Sequence, residues 1–237
     1  MKKFLLILVV LLPGYTANAQ VIISLLFGEA LNTGRVEFGL DGGVNLASIE
    51  GIDGAKNLTA WNLGFYFDIK LNNPSWMIHT GVIVKSTLGT RNAPLYSLND
   101  AVLDSAFSGG SVAAKLQYFD VPIMLKYRFR NNFSLEGGAM LGLLHKASDE
   151  FINTVQEEDL SYKRNVKDAY HPLDAGIMIG AGYRLLGGDG INLGVRYYYG
   201  LVDTYIDDST PNRYNRSLYF TVGIPIGAGN DLEGAKQ

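Results

Sequence analysis

The sequence predicts an all-β protein: an eight-stranded antiparallel up-and-down transmembrane β-barrel, with a short N-terminal helix after a signal peptide. Three observations predict it. Apolar and polar residues alternate with a period of two through eight segments. The connections between these segments alternate between long and short. After residue 35 no stretch of comparable length has a helical period, and none forms the apolar run of about 18 residues that a spanning helix needs.

The chain opens MKKFLLILVVLLPGYTANA. Two lysines precede an apolar run from Phe4 to Leu12, and small residues follow up to Ala19. This is the pattern of a secretory signal peptide over 1–19, cleaved before Gln20. Loss of Lys2 and Lys3 takes the formal charge from −3 to −5, which gives no reason to expect a nucleic-acid partner. There is no cysteine, so disulfides, thiolate metal sites and a lipidated N-terminus are all excluded. Residues 20–35 form a lead-in segment in which Ile22, Leu25, Leu26 and Glu29 are spaced for a short amphipathic helix. The barrel is expected over 36–227, followed by a polar tail over 228–237.

The predicted strands run 36–47, 59–71, 75–88, a fourth containing 118–129, then 133–146, 171–185, 191–203 and 217–227. In YFDVPIMLKYRF (118–129) one face is Phe119, Val121, Ile123, Leu125, Tyr127 and Phe129, while the other holds Asp120, Lys126 and Arg128. The remaining strands repeat the pattern: their apolar face is read as free of charge. The opposite face carries Glu37, Asp41, Asp68, Lys70, Lys85, Asp120, Lys126, Arg128, Glu136, Asp174, Arg184 and Arg196. It also carries most of the strand glycines, such as Gly142, Gly180 and Gly194. Glycine weakens a strand that faces solvent and fits one where space is short. The charged face is therefore the crowded interior, and the apolar face meets lipid. Aromatic residues on the apolar face fall into two bands, Trp76, Tyr127, Phe129, Phe133 and Tyr183 near the short turns and Trp61, Phe119 and Tyr199 near the long loops. Such bands mark the two membrane interfaces. Eight strands enclose room for side chains and no open channel, so the interior charges are expected to pair as an ion network. The N-terminus is then periplasmic and the long loops are extracellular.

The strand YFDVPIMLKYRF resembles the Y-x-(D/E)-(V/I)-P-x-x-x-K-Y strand of PorT-family outer-membrane barrels of Bacteroidota. GINLGVRYYYGL (190–201) is similar to that family's G-x-x-x-x-R-Y-x-x-G-L strand, and DAGIMIGAGYRL (174–185) to its glycine-alternating sixth strand. The resemblance spans residues 36–226. It implies localisation in the cell outer membrane, and the family's namesake is associated with type IX secretion and gliding. One departure is the C-terminal end. Barrels of this class often finish on an aromatic residue, whereas here Ile224-Pro225-Ile226-Gly227 leads into a polar tail.

The expected function is non-catalytic: a structural or interaction role with a filled lumen, accessory to secretion or gliding. Outer-membrane lipids are the expected surroundings, and envelope or secretion-machinery proteins are the expected partners through loops 89–113 and 147–170. Two alternatives stand beside it. One is a lipid-A or phospholipid hydrolase using His145, His171 and Ser148, with Asp149 nearby. The other is a small selective channel. No cofactor, catalytic residue or metal site is assigned. GAGYRL and GLDGGVNL are strand glycines rather than phosphate loops.

Overall fold

Period-two alternation over long segments, separated by turn residues, gives a sheet with one apolar and one polar face, and closing that sheet on itself removes its unpaired edges. The computed structural model describes residues 34–155, 157–207 and 211–226. The signal peptide, the short N-terminal helix and the tail lie outside these residues. Nine strands are described: β1 (Val36–Glu50), β2 (Lys56–Lys70), β3 (Trp76–Ala93), β4 (Ser111–Arg128), β5 (Phe133–Val155), β6 (Glu158–Asn165), β7 (Leu173–Arg184), β8 (Asn192–Gly200) and β9 (Tyr214–Pro225). Every pairing is antiparallel. β1 pairs with β2 on one side and with β9 on the other, from Gly39↔Pro225 to Glu50↔Tyr214, and this closes the ring. β7 pairs with the lower part of β5, while β6 pairs only with its upper part, 148–155. The ring therefore has eight strands, and β6 is a ninth outside it. No helix among the described residues is long and apolar enough to cross a membrane.

The ends of the barrel differ. At one end 71–75, 129–132 and 185–191 make compact links. Asn132 adopts a left-handed backbone at φ 64°, and Asn73 caps its own turn by accepting from the Ser75 N–H at 3.0 Å. At the other end the sheet continues past the ring. Residues expected as a loop over 147–170 are the top of β5, a hairpin and β6. Those expected as a loop over 89–113 contain the ends of β3 and β4 and a six-residue helix, α1 (Ala101–Ala106). Asp100 caps α1 by accepting from the N–H groups of Val102 and Leu103 at 2.9 and 3.2 Å. The Ser97 hydroxyl and the Leu98 N–H hold the Asp104 carboxyl below the usual carboxylate range. α1 is held over the sheet by a small core of Phe107, Val112 and Phe151 and by an amide hydrogen bond from Asn153 Nδ2 to the Ala106 carbonyl, 2.8 Å. Tyr96 stacks edge-on to Phe151 at 5.1 Å and donates to Asp149 at 2.7 Å. This platform is ordered by its own contacts.

The barrel wall sorts its residues as the alternation requires. Ile123, Leu125, Leu135, Leu141, Ile177, Ile179, Val195 and Val222 face outward and are exposed, whereas their neighbours Met124, Lys126, Glu136, Met178 and Arg196 face in and are buried. Trp76, Tyr127, Phe129 and Phe133 form a continuous chain of rings outside the short-turn end, with centroids 4.8, 4.8 and 5.9 Å apart. The outward face would be an aggregation surface in water, and in a bilayer it is the lipid contact. At mid-wall, Ile177→Arg puts a charge in hydrocarbon and is expected to cost about 2–4 kcal/mol, read by urea titration of folding into lipid vesicles. A loss under about 0.5 kcal/mol would contradict the outward assignment, since that is the range of neutral surface changes.

Candidate functional site in the filled lumen

The inner faces of the strands bring together residues far apart in sequence, and charge organises them. Arg196 on β8 is the centre. Its Nη1 donates to Asp41 on β1 at 2.6 Å, its Nε donates to Glu136 on β5, and its Nη2 donates to His79 Nε2 on β3 at 3.1 Å. Because an arginine only donates, Nε2 must accept, which leaves the His79 proton on Nδ1. That Nδ1 donates to Asp68 on β2 at 2.6 Å. Asp68 in turn accepts from Lys126 on β4 at 2.7 Å and has Arg128 at 3.8 Å. One connected chain of ionic hydrogen bonds thus runs Asp41–Arg196–His79–Asp68–Lys126 and touches five of the strands. Closer to the short-turn end, Arg184 pairs with Glu37 at 2.5 Å, and Tyr66 donates to the other Glu37 oxygen at 3.0 Å.

Glycine makes room for this network. Gly180 faces Arg196 and Glu136 across the ladder. A methyl group there would lie 2.8 Å from Arg196 Cγ and 3.0 Å from Glu136 Oε1. The cavity remaining beside Arg196, His79 and Lys126 is about 20 Å³, close to the least volume that holds one water. The long-loop half of the lumen is filled differently. Tyr118, Tyr198 and Tyr219 pack there with Leu88, Leu116, Leu144 and Met140, and each is nearly or fully buried. Asp174 accepts from Asn215 Nδ2 at 2.8 Å in this layer, while Asp120, beside Ser86, enters none of the described ion pairs.

Of the twelve candidate lumen residues, the structure places Glu37, Asp41, Asp68, Lys126, Arg128, Glu136, Arg184 and Arg196 in ion pairs of this interior. Asp120 and Asp174 are buried above them, and Lys70 sits at the mouth, its ammonium 3.4 Å from the Gly34 carbonyl. Lys85 is a correction. It points outward, its Nζ 3.3 Å from the centre of the Trp61 ring, so the lipid-side face does carry a charge. The reason is a β-bulge: Ile83 pairs with Asp120 and Ser86 with Tyr118, so Val84 and Lys85 together oppose Phe119. Simple alternation counts through a bulge and inverts every residue beyond it. Two members of the interior were absent from the candidate set. His79 joins the halves of the network, and Tyr66 braces Glu37 while stacking on His79 at 5.6 Å. Both lie on the charged register, which is the signal that could have found them. Arg216 also went unassigned; it pairs with Glu50 at 2.6 Å and lies over Tyr199 at 3.5 Å. The hydrolase constellation is not assembled. The His145 ring stacks on Phe119 at 4.5 Å, and the Ser148 hydroxyl is buried without a hydrogen-bond partner. Asp149 is engaged by Tyr96.

Residues 17–205 match the family described as outer membrane protein beta-barrel domain. The chain belongs to that family. The match covers most of the wall and ends before β9, the strand that closes this outer-membrane barrel. No curated protein sequence matches the chain. Among solved structures, the attachment invasion locus protein Ail of Yersinia pestis is 16% identical with a TM-score of 0.41, over 81% of this chain and 99% of that one. Neisserial surface protein A is 13% identical with a TM-score of 0.41, over 81% and 96%. The outer membrane protein OprG of Pseudomonas aeruginosa is 13% identical with a TM-score of 0.36, over 81% and 94%.

Within the barrel, Arg196→Met leaves the Asp41 and Glu136 carboxylates without their cation. Breaking a buried pair from one side typically costs about 3–5 kcal/mol. The expected result is a loss of that size in the same vesicle-based urea titration. The double change Arg196→Met with Glu136→Gln should recover part of it, and no recovery would show that the two side chains are not coupled.

Proposed function

We propose that the protein is a non-catalytic outer-membrane barrel with a closed lumen, working as an interaction component through its extracellular platform. The observation that carries this reading is the contrast between the two regions. The interior is filled from the ionic layer to the tyrosine layer, with room for about one water between charged groups. The platform beyond the ring holds exposed Val102, Leu160 and Tyr162 beside the charges of β6. Signal-peptide cleavage before Gln20 puts the N-terminus in the periplasm, and the short links 71–75 and 129–132 lie on that side. The segments 89–113 and 147–170 then face outward, where loops on a rigid scaffold carry recognition. The proposed partner is an envelope protein of a secretion or gliding apparatus of the type IX kind. Its support is the resemblance of three strand motifs to PorT-family barrels.

Orientation is tested with cysteines, since the chain has none of its own. Ser108→Cys and Asp159→Cys should react with an impermeant maleimide on intact cells, and Asn73→Cys and Asn131→Cys should not; equal labelling of all four contradicts the topology. Partner recognition is tested with a photo-crosslinking residue at Val102 or Tyr162, which should capture a defined envelope protein, and at lipid-facing Leu135, which should not. Loss of an acyl chain from cellular lipids that depends on His145 and Ser148, seen by mass spectrometry, would replace this reading with the hydrolase.

A further inference from the structure

A basic cluster lies on the outside of the wall at the long-loop end, and two β-bulges create it. The first turns Val84 and Lys85 outward together opposite Phe119. The second is on the other side of β4. Gln117 pairs with Lys146 and Tyr118 with Leu144, so His145 is the extra residue, and His145 and Lys146 are both exposed. The two bulges flank one stretch of β4 at one height. Without either of them, strict alternation would send one residue of each pair into the lumen. Instead Lys85 rests on Trp61, its Nζ 3.3 Å from the ring centre, and His145 rests on Phe119 at 4.5 Å. The Val166 N–H donates to the Ala147 carbonyl at 3.2 Å, which brings the exposed Lys167 to the same end of β5 as Lys146.

None of the ion pairs among the described residues uses Lys85, His145, Lys146 or Lys167, whereas neighbouring Lys115 is neutralised by Glu150. Strand spacing puts the β3 and β5 cations on the order of 10 Å apart across β4, a span that one phosphorylated head group can bridge. Beside and below the cluster the wall is aliphatic: Leu63 pairs with Lys85 and Leu143 with Phe119, Leu141 and Ile123 lie nearer mid-wall, and all four are exposed. Cations above an apolar strip, at the level of the outer aromatic band, match a molecule with a phosphate at one end and acyl chains at the other.

We propose that Lys85, Lys146 and Lys167, with Trp61 and Phe119, form an external binding site for the phosphate group of an outer-leaflet lipid. The proposal rests on the orientation given above and adds a ligand class to it. Trp61 supplies the test, because it lies against Lys85 and the second tryptophan, Trp76, can be removed. The full mature chain carrying Trp76→Phe is folded into phosphatidylcholine vesicles containing brominated phosphatidic acid or brominated phosphatidylcholine, and quenching of Trp61 is compared. Quenching should favour brominated phosphatidic acid by about fivefold or more, the factor that one basic side chain near an anionic surface contributes. Lys85→Gln, Lys146→Gln and Lys167→Gln together should bring the ratio to unity, while Lys163→Gln on the platform should leave it unchanged. Equal quenching by the two lipids in the parent, or a preference that survives the triple change, overturns the proposal. Abolition of the preference by dissolved inorganic phosphate assigns the cluster to free phosphate and overturns it as a lipid site. Absence of quenching by either lipid overturns it together with the membrane placement of the wall, and so separates failure of the site from failure of the fold reading.

Discussion

Arg196 is the constraint on which the rest of the barrel depends. A ring of eight strands has an interior little wider than its side chains, so any charge placed inside must be neutralised inside. Arg196 meets two carboxylates and one imidazole from three other strands, and His79 carries the connection on to Asp68 and Lys126. In the described pairs of this layer the carboxylates Glu37, Asp41, Asp68 and Glu136 face the cations Lys126, Arg128, Arg184 and Arg196. With the His79 ring contributing one donor and one acceptor, the charges cancel. Gly180 follows from the same constraint, because the aliphatic stem of Arg196 and the Glu136 carboxylate occupy the space that its side chain would take. So does the register. Sliding β8 by one residue would put Arg196 into lipid and leave the Asp41 and Glu136 carboxylates on two strands without it. A buried network of this kind contributes less to net stability than to fixing one arrangement of strands.

Most of the wall was legible in the sequence because alternation is a local property that lipid on one side enforces on every strand. Ile177, Ile179, Val195 and Leu135 could be assigned to lipid, and Asp68, Lys126 and Arg196 to the interior, by parity alone. The errors have physical causes of the same kind. Lys85 was misplaced because a bulge adds one residue, and nothing in the letters VIVKS marks it. The segment 147–170 read as a charged loop because β6 is exposed along nearly its whole length and lacks an alternating pattern, although it pairs with β5 in register from Ser148↔Asn165 to Val155↔Glu158. His79 was visible on the charged face, but its role as the link between two ion clusters depends on distances across the lumen that no local pattern encodes.

The filling of the interior leaves only the outer surfaces open to another molecule. The upper lumen is closed by Tyr118, Tyr198 and Tyr219 with aliphatic neighbours, so a molecule arriving from the long-loop side meets a packed core. What it can reach is the platform, where α1 sits on Phe107 and Phe151 and where Arg164 lies over Tyr96 at 5.7 Å. The platform is continuous with the wall because β3, β4 and β5 run through both, so its position relative to the membrane is set by the same ladder that aligns the lumen charges.

Ion conductance measures the central claim most directly. The purified mature chain, inserted into planar lipid bilayers at physiological salt, is predicted to show no stable porin-sized current, and the combined change Arg196→Ala with Glu136→Ala, which empties the centre of the network, is predicted to raise the current above the parent. A steady, large, ion-selective current through the parent protein that disappears when Arg196 or Lys126 is substituted would contradict the account and make the lumen a conduction path.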